Sequence, residues 1–168
     1  MVMILAAQIG SKITAPHRQK AKLDVAGEGA VAEDAVKTHT GHCLCGAVTF
    51  TAKDLSDIWY CHCKQCQHLT GHYIAAAGAL RENVVIKGPI HWLPISEKSS
   101  SGQCKTCGSY LFWDMPTRPT MSVLAGNIDD TTGLEAKGHI FVSEKGAYYE
   151  ISDGLLQFDT VPKGTLRS

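Results

Sequence analysis

Seven cysteines fall into three short clusters: Cys43-Leu44-Cys45, Cys61-His62-Cys63-Lys64-Gln65-Cys66, and Cys104-Lys105-Thr106-Cys107. An odd number of thiols cannot pair fully into disulfides within one chain, and a reducing compartment would not keep such pairs. The spacing supports metal ligation instead. Two cysteines one residue apart on a strand project to the same face, so Cys43 and Cys45 are expected to clamp one ion from a strand. Cys-x-x-Cys in a turn forms a chelating knuckle, and Gly108 behind the last cluster lets the backbone close tightly. Thiolates in a tetrahedral set favour zinc or iron–sulfur.

Seven ligands divide as four plus three. The middle cluster holds three cysteines within six residues and can bind a metal by itself, while the outer clusters supply two each. Cys43, Cys45, Cys104 and Cys107 then make a closed, structural site. Cys61, Cys63 and Cys66 make a three-ligand site with an open fourth position, the arrangement of a catalytic zinc. One structural zinc with three spare cysteines is an alternative reading. An iron–sulfur cluster is another, although its usual cysteine runs are missing. His62, His68 and His72 lie near enough in sequence to complete the middle site. His62, between two ligand cysteines, points to the opposite face of an extended segment. His68 reaches the site only from a distorted helical turn.

The elements that must position these clusters read as mostly β. Short β-like runs lie between turn residues from His39 onward: 47–52, 58–61, 73–77, 84–87, 90–95, 110–115, 121–124 and 139–142. Gly88-Pro89 punctuates two of them, and 126–133 is a loop by composition. Only 64–69 reads as a helical turn. At 168 residues the chain is one domain with a core of ordinary size. Residues 1–38 hold no Cys, Trp, Tyr or Phe and read as a poorly ordered extension, with an edge strand over 1–9 as the competing reading. Residues 39–160 form the zinc-binding domain and 161–168 a tail.

Sixteen basic residues balance sixteen acidic ones, which gives no electrostatic footprint for nucleic acid or an anionic membrane. No apolar run approaches the roughly 20 residues that span a bilayer. The apolar opening, 1–9, is followed rather than preceded by basic residues, the wrong order for a secretory signal, so the expected compartment is the cytoplasm. Nothing in the sequence indicates an oligomeric state.

The motifs resemble a known family. Gly41-His42-Cys43-Leu44-Cys45-Gly46-Ala47-Val48-Thr49-Phe50 is similar to its opening motif. Cys61 to Cys66 with Gly71 is similar to its second, and Cys104-Lys105-Thr106-Cys107-Gly108-Ser109 to its third. Gly126-Asn127-Ile128-Asp129-Asp130, His139-Ile140-Phe141-Val142 and Asp153-Gly154-Leu155 resemble its late signatures. The family is that of the glutathione-dependent formaldehyde-activating enzymes, which includes centromere protein V. The resemblance implies a zinc-stapled, Mss4-like β fold with little helix, and two zincs, one structural and one catalytic. It also implies a carbon–sulfur lyase that joins glutathione and formaldehyde. The chain departs from the family pattern at 99–103, which is short and lacks the usual Arg and aromatic residue, and at Tyr148, where Trp is usual. A zinc with an open position lowers the pKa of a bound thiol, and His62 or His72, with an intrinsic pKa near neutrality, is the expected proton carrier, no sequence feature selecting between them. The rival readings are a thiol-binding carrier without catalysis and a zinc-stapled interaction domain.

Overall fold

A computed structural model describes residues 37–162. The expected extension over 1–38, apart from its last two residues, lies outside the described residues, as do the strand over 1–9 and most of the 161–168 tail. In chain order the elements are β1 Thr38–His42, β2 Thr49–Lys53, β3 Ile58–Cys61, α1 Lys64–Thr70, β4 Ile74–Leu80, β5 Val84–Lys87, β6 Ile90–Pro94, β7 Ser100–Cys104, β8 Tyr110–Asp114, β9 Thr120–Leu124, β10 Ala136–Ile140 and β11 Leu156–Phe158. Single turns of 3₁₀ helix link several of them. The protein is mostly β, as the run lengths indicated, with α1 as its one α-helix among the described residues.

Two sheets share the strands. One has three, in the order β1-β2-β5, and the other has eight, in the order β11-β10-β3-β4-β9-β8-β7-β6. Alternation of side chains along each strand gives the sheets distinct faces. Phe50 and Ala52 of β2 pack with Phe112 of β8 and Met121 and Val123 of β9 to form the core between the sheets, joined by Val48, Leu111 and Ile128. Phe50 meets Phe112 edge to face at 5.2 Å between ring centroids, an arrangement worth ~0.5–1.5 kcal/mol beyond area burial.

β7 was not legible from propensity, because Ser100-Ser101-Gly102-Gln103 carries no β-branched or aromatic residue. It forms because β6 and β8 pair with it on both sides. Gly102 is required there: a Cβ would stand 2.8 Å from Trp92 Cζ3 and 3.0 Å from Phe112 Cβ.

The pairing of β7 with β8 contains one irregularity that governs the site. Gly102 faces Phe112, yet Gln103 faces Tyr110, so Leu111 is an extra residue in β8. A bulge of this kind shifts the phase of alternation. Leu111 and Phe112 consequently both enter the core, and Tyr110 shares a face with Trp113.

Candidate metal centres and the adjoining cavity

The outer cysteines meet as two knuckles. Cys43 and Cys45 do not lie on a strand, as their spacing suggested, but in the turn that joins β1 to β2. There the Gly46 N–H donates to Cys43 O at 2.9 Å, and Gly46 takes φ +74°. The turn is favoured because Cys43 N–H also donates to Val48 O at 3.0 Å, which leaves the Sγ atoms of Cys43 and Cys45 3.6 Å apart. Between β7 and β8 the same construction recurs: Gly108 N–H donates to Cys104 O at 2.9 Å, and Gly108 also has φ +74°. Both glycines occupy the left-handed region that a Cβ disfavours.

The two knuckles face each other, with Cys45 Sγ 3.9 Å from Cys104 Sγ. A tetrahedral zinc with Zn–S of about 2.3 Å requires sulfurs about 3.8 Å apart. The ligand atoms of Cys43, Cys45, Cys104 and Cys107 all lie within 4.8 Å of one another, so the donor set fits zinc. N–H groups aim at the sulfurs: Val48 N lies 3.2 Å from Cys43 Sγ and Thr106 N 3.4 Å from Cys104 Sγ. The Ser109 hydroxyl, 3.2 Å from Cys107 Sγ, holds that thiol down at about 5, ready to ligate as thiolate.

Cys61, Cys63 and Cys66 form the second group, again with sulfurs within 4.8 Å. Cys61 ends β3, Cys63 is the N-cap of α1, and Cys66 lies in its first turn. The Cys66 N–H donates to Cys63 Sγ at 3.5 Å. Hydrogen bonds from the Cys61 and Cys66 thiols hold Cys63 down at about 2. The contact with Cys63 pushes Cys61 up to about 12, and contacts with Cys61 and then Cys63 push Cys66 up as well. Three thiols this close cannot all ionise without a cation among them. Buried Gln67 fastens the loop by donating to His62 O at 2.6 Å and Glu144 O at 2.9 Å. The Glu144 carboxylate accepts from Lys64 N–H at 2.7 Å. Among the described residues no histidine, carboxylate or further cysteine joins this group, so His62, His68 and His72 stand outside it.

His62 points to the other face of the sheet, as an extended segment requires, and is fully buried there. Its ring is the centre of a chain that sequence reading missed. Asp153 can only accept, so His139 Nε2 donates to it at 2.9 Å. His139 Nδ1 then accepts from His62 Nε2 at 2.8 Å, and His62 Nδ1 accepts from the Tyr149 hydroxyl at 2.6 Å. Burial pushes His62 down to about 4, which keeps this ring neutral at pH 7. These partners lie as many as 87 positions from His62 in the chain, and no local pattern announces them.

The cysteine triad Cys61, Cys63 and Cys66 forms part of the wall of a cavity of about 440 Å³. Alternation supplies the rest: Trp59 and Cys61 of β3, Ile74, Ala76, Gly78 and Leu80 of β4, and Thr120, Ser122 and Leu124 of β9 all line it. The small residues of β4 leave the room. Tyr110 and Trp113 close one side because of the bulge at Leu111. Phe141 also lines it from a left-handed backbone, φ +58°, unusual for an aromatic residue. Among the described residues, the Tyr110 hydroxyl is the buried side-chain polar atom without a hydrogen-bond partner. Burial and the neighbouring cysteines push its pKa up, so it stays a protonated donor. His62 and His72, the expected proton carriers, do not line the cavity.

Residues 38–144 match the family described as glutathione-dependent formaldehyde-activating enzyme. The chain belongs to this family. Its members bind zinc and are of lyase type, and the two cysteine groups here are arranged to hold metal. No curated protein matches the chain. Among solved structures, the crystal structure of a Rhodobacter sphaeroides protein from structural genomics is similar at 20% identity and a TM-score of 0.47, covering 58% of this chain and 97% of that one. No helix among the described residues is long and apolar enough to cross a membrane.

Proposed function

We propose that the chain is a zinc-dependent carbon–sulfur lyase that joins glutathione and formaldehyde into S-hydroxymethylglutathione and cleaves it in reverse. The observation that carries this reading is the triad Cys61, Cys63 and Cys66: three thiols that no fourth ligand joins among the described residues, forming part of a cavity wall. Cys43, Cys45, Cys104 and Cys107 would hold the structural zinc, and the triad the catalytic one. At the triad, zinc supplies a lowered pKa for an incoming thiol, while three thiolate ligands leave it a weak Lewis acid.

The residues around it do the remaining work. In the forward step the S–C bond forms as the carbonyl π bond breaks, and the proton that leaves the thiol returns to the carbonyl oxygen. The Tyr110 hydroxyl is a donor that lines the same cavity and could satisfy that oxygen as charge develops. The apolar wall excludes water from the adduct. Gln67 and Glu144 hold the triad loop against the turn at 142–144, which fixes where the thiol arrives.

Two measurements test the reading. Adduct formation by the zinc-loaded protein should exceed the spontaneous rate; equality would refute catalysis and leave a thiol carrier. In cobalt-substituted protein, glutathione should perturb the cobalt–thiolate bands and S-methylglutathione should not, because it has no proton to lose. Identical responses would show that the triad does not take a thiol, leaving a zinc-stapled interaction domain.

A further inference from the structure

We infer that the aldehyde this cavity receives has an uncharged aromatic or branched-aliphatic body, larger than formaldehyde. The inference rests on the reading above, that glutathione and an aldehyde meet at the triad, and it extends the second reactant from formaldehyde to a bulkier aldehyde that the cavity prefers.

Three observations carry it. The first is size. Formaldehyde, with two heavy atoms, fills little more than the ~30 Å³ share of one water. The cavity beside the triad measures about 440 Å³, within the roughly 300–1,000 Å³ range of pockets that enclose drug-sized ligands. The second is the wall. Trp59, Trp113, Ile74 and Leu124 present rings and branched chains, whereas the charged residues on it are Asp54 and Arg118, of opposite sign. Glutathione carries two carboxylates and an ammonium group, so with Arg118 and Asp54 as the charged residues here its second carboxylate would lose hydration without a partner. A ligand with an apolar body has no such cost, and flat rings match the aromatic side chains. The third is the Tyr110 hydroxyl, buried without a partner. A single acceptor oxygen on an otherwise apolar ligand satisfies it. The chemistry is unchanged: the thiol sulfur bonds to the carbonyl carbon, the π bond breaks, and the proton from the thiol ends on the oxygen. The product is a hemithioacetal, and no oxidant or reductant is consumed.

The test uses the zinc-loaded full chain. With glutathione as the thiol, 3-phenylpropanal should be turned over with kcat/KM at least tenfold above formaldehyde, each corrected for its spontaneous reaction. Its unreactive alcohol, 3-phenylpropanol, should quench tryptophan fluorescence saturably, since Trp59 and Trp113 line the cavity. Ser122→Phe, which places a ring into the cavity, should lower the ratio of the two kcat/KM values at least tenfold. A preference for formaldehyde, or no saturable quenching in the unsubstituted chain, overturns the inference while adduct formation from formaldehyde leaves the reading above standing. Saturable quenching without adduct formation from either aldehyde overturns the catalytic reading instead and leaves the cavity as an apolar-ligand site.

Discussion

Replacing Cys104 by serine should unfold the protein or bring it close to unfolding, whereas Cys63→Ser should leave it folded. Cys43 and Cys104 are almost fully buried within the core that joins the sheets. Zinc at a four-cysteine site contributes ~10–16 kcal/mol to the folding of small zinc peptides, an even share of about 2.5–4 kcal/mol per ligand. A serine hydroxyl left unpaired in that core adds about 1–3 kcal/mol. The sum, about 3.5–7 kcal/mol, is comparable with the ~5–15 kcal/mol net stability of a typical domain. At roughly 2–4 °C per kcal/mol for a chain of this size, the melting temperature falls by at least about 7 °C.

Cys63 differs in two ways. Its sulfur caps α1, and serine is itself a preferred N-cap. The three cysteines also lie within six residues of one another, so an unfolded chain can bind metal there too. Binding to the unfolded state cancels much of the stabilisation that binding to the native state provides. The expected cost is below about 1 kcal/mol, a shift of under ~4 °C. Differential scanning calorimetry on zinc-loaded proteins, with metal content measured in parallel, decides the matter. Equal losses, or a larger loss for Cys63→Ser, would refute the assignment of structural and open sites.

Elemental analysis of protein purified without chelator should give two zincs per chain, and a metallochromic indicator should report the three-ligand triad releasing its metal before the four-ligand knuckles, of which Cys43 and Cys104 are buried. A single release phase that coincides with loss of tryptophan fluorescence would contradict that order. Gly102→Ala should cost about 1–3 kcal/mol, since its methyl group collides with Trp92 and Phe112; chemical denaturation measures it. Tyr149→Phe leaves the buried His62 Nδ1 without its donor and should cost about 1–3 kcal/mol, read from the same titration. In Asp153→Asn the dependence of stability on pH should flatten at the acid end. The Leu155 N–H and the His139 ring hold the Asp153 carboxyl below its ordinary 3.8, so its contribution is present above that value and is lost as pH falls through the lower folded one.

The parts of the site that the sequence announced are those built from local spacing. Three cysteines in six residues chelate wherever the chain goes, and strands such as β3 and β5 follow from runs of Ile, Val, Trp and Tyr. What was not legible depends on partners distant in the chain. β7 exists because two neighbours pair with a segment that has no strand preference of its own. The turn at Cys43–Cys45 is closed by Gly46 and Val48, and read from spacing alone it looks like a strand. The chain from Asp153 through His139 and His62 to Tyr149 joins three late residues to one early one. The cavity itself is a product of register, since it opens where Ala76 and Gly78 share a face with Ser122.

The extra residue at Leu111 makes the composition of the cavity wall a matter of strand phase as well as of residue identity. With ordinary alternation through β8, Tyr110 would fall on the face of Phe112 and enter the core, and its phenol would leave the wall. The bulge therefore decides that a polar donor rather than an apolar neighbour stands on that wall, and it does so at a point outside the seven cysteines and the knuckle at Cys104–Cys107. Deleting Leu111 itself would close the bulge and leave Tyr110 and Trp113 two positions apart on one face, so the phenol would keep its place beside an unchanged metal frame.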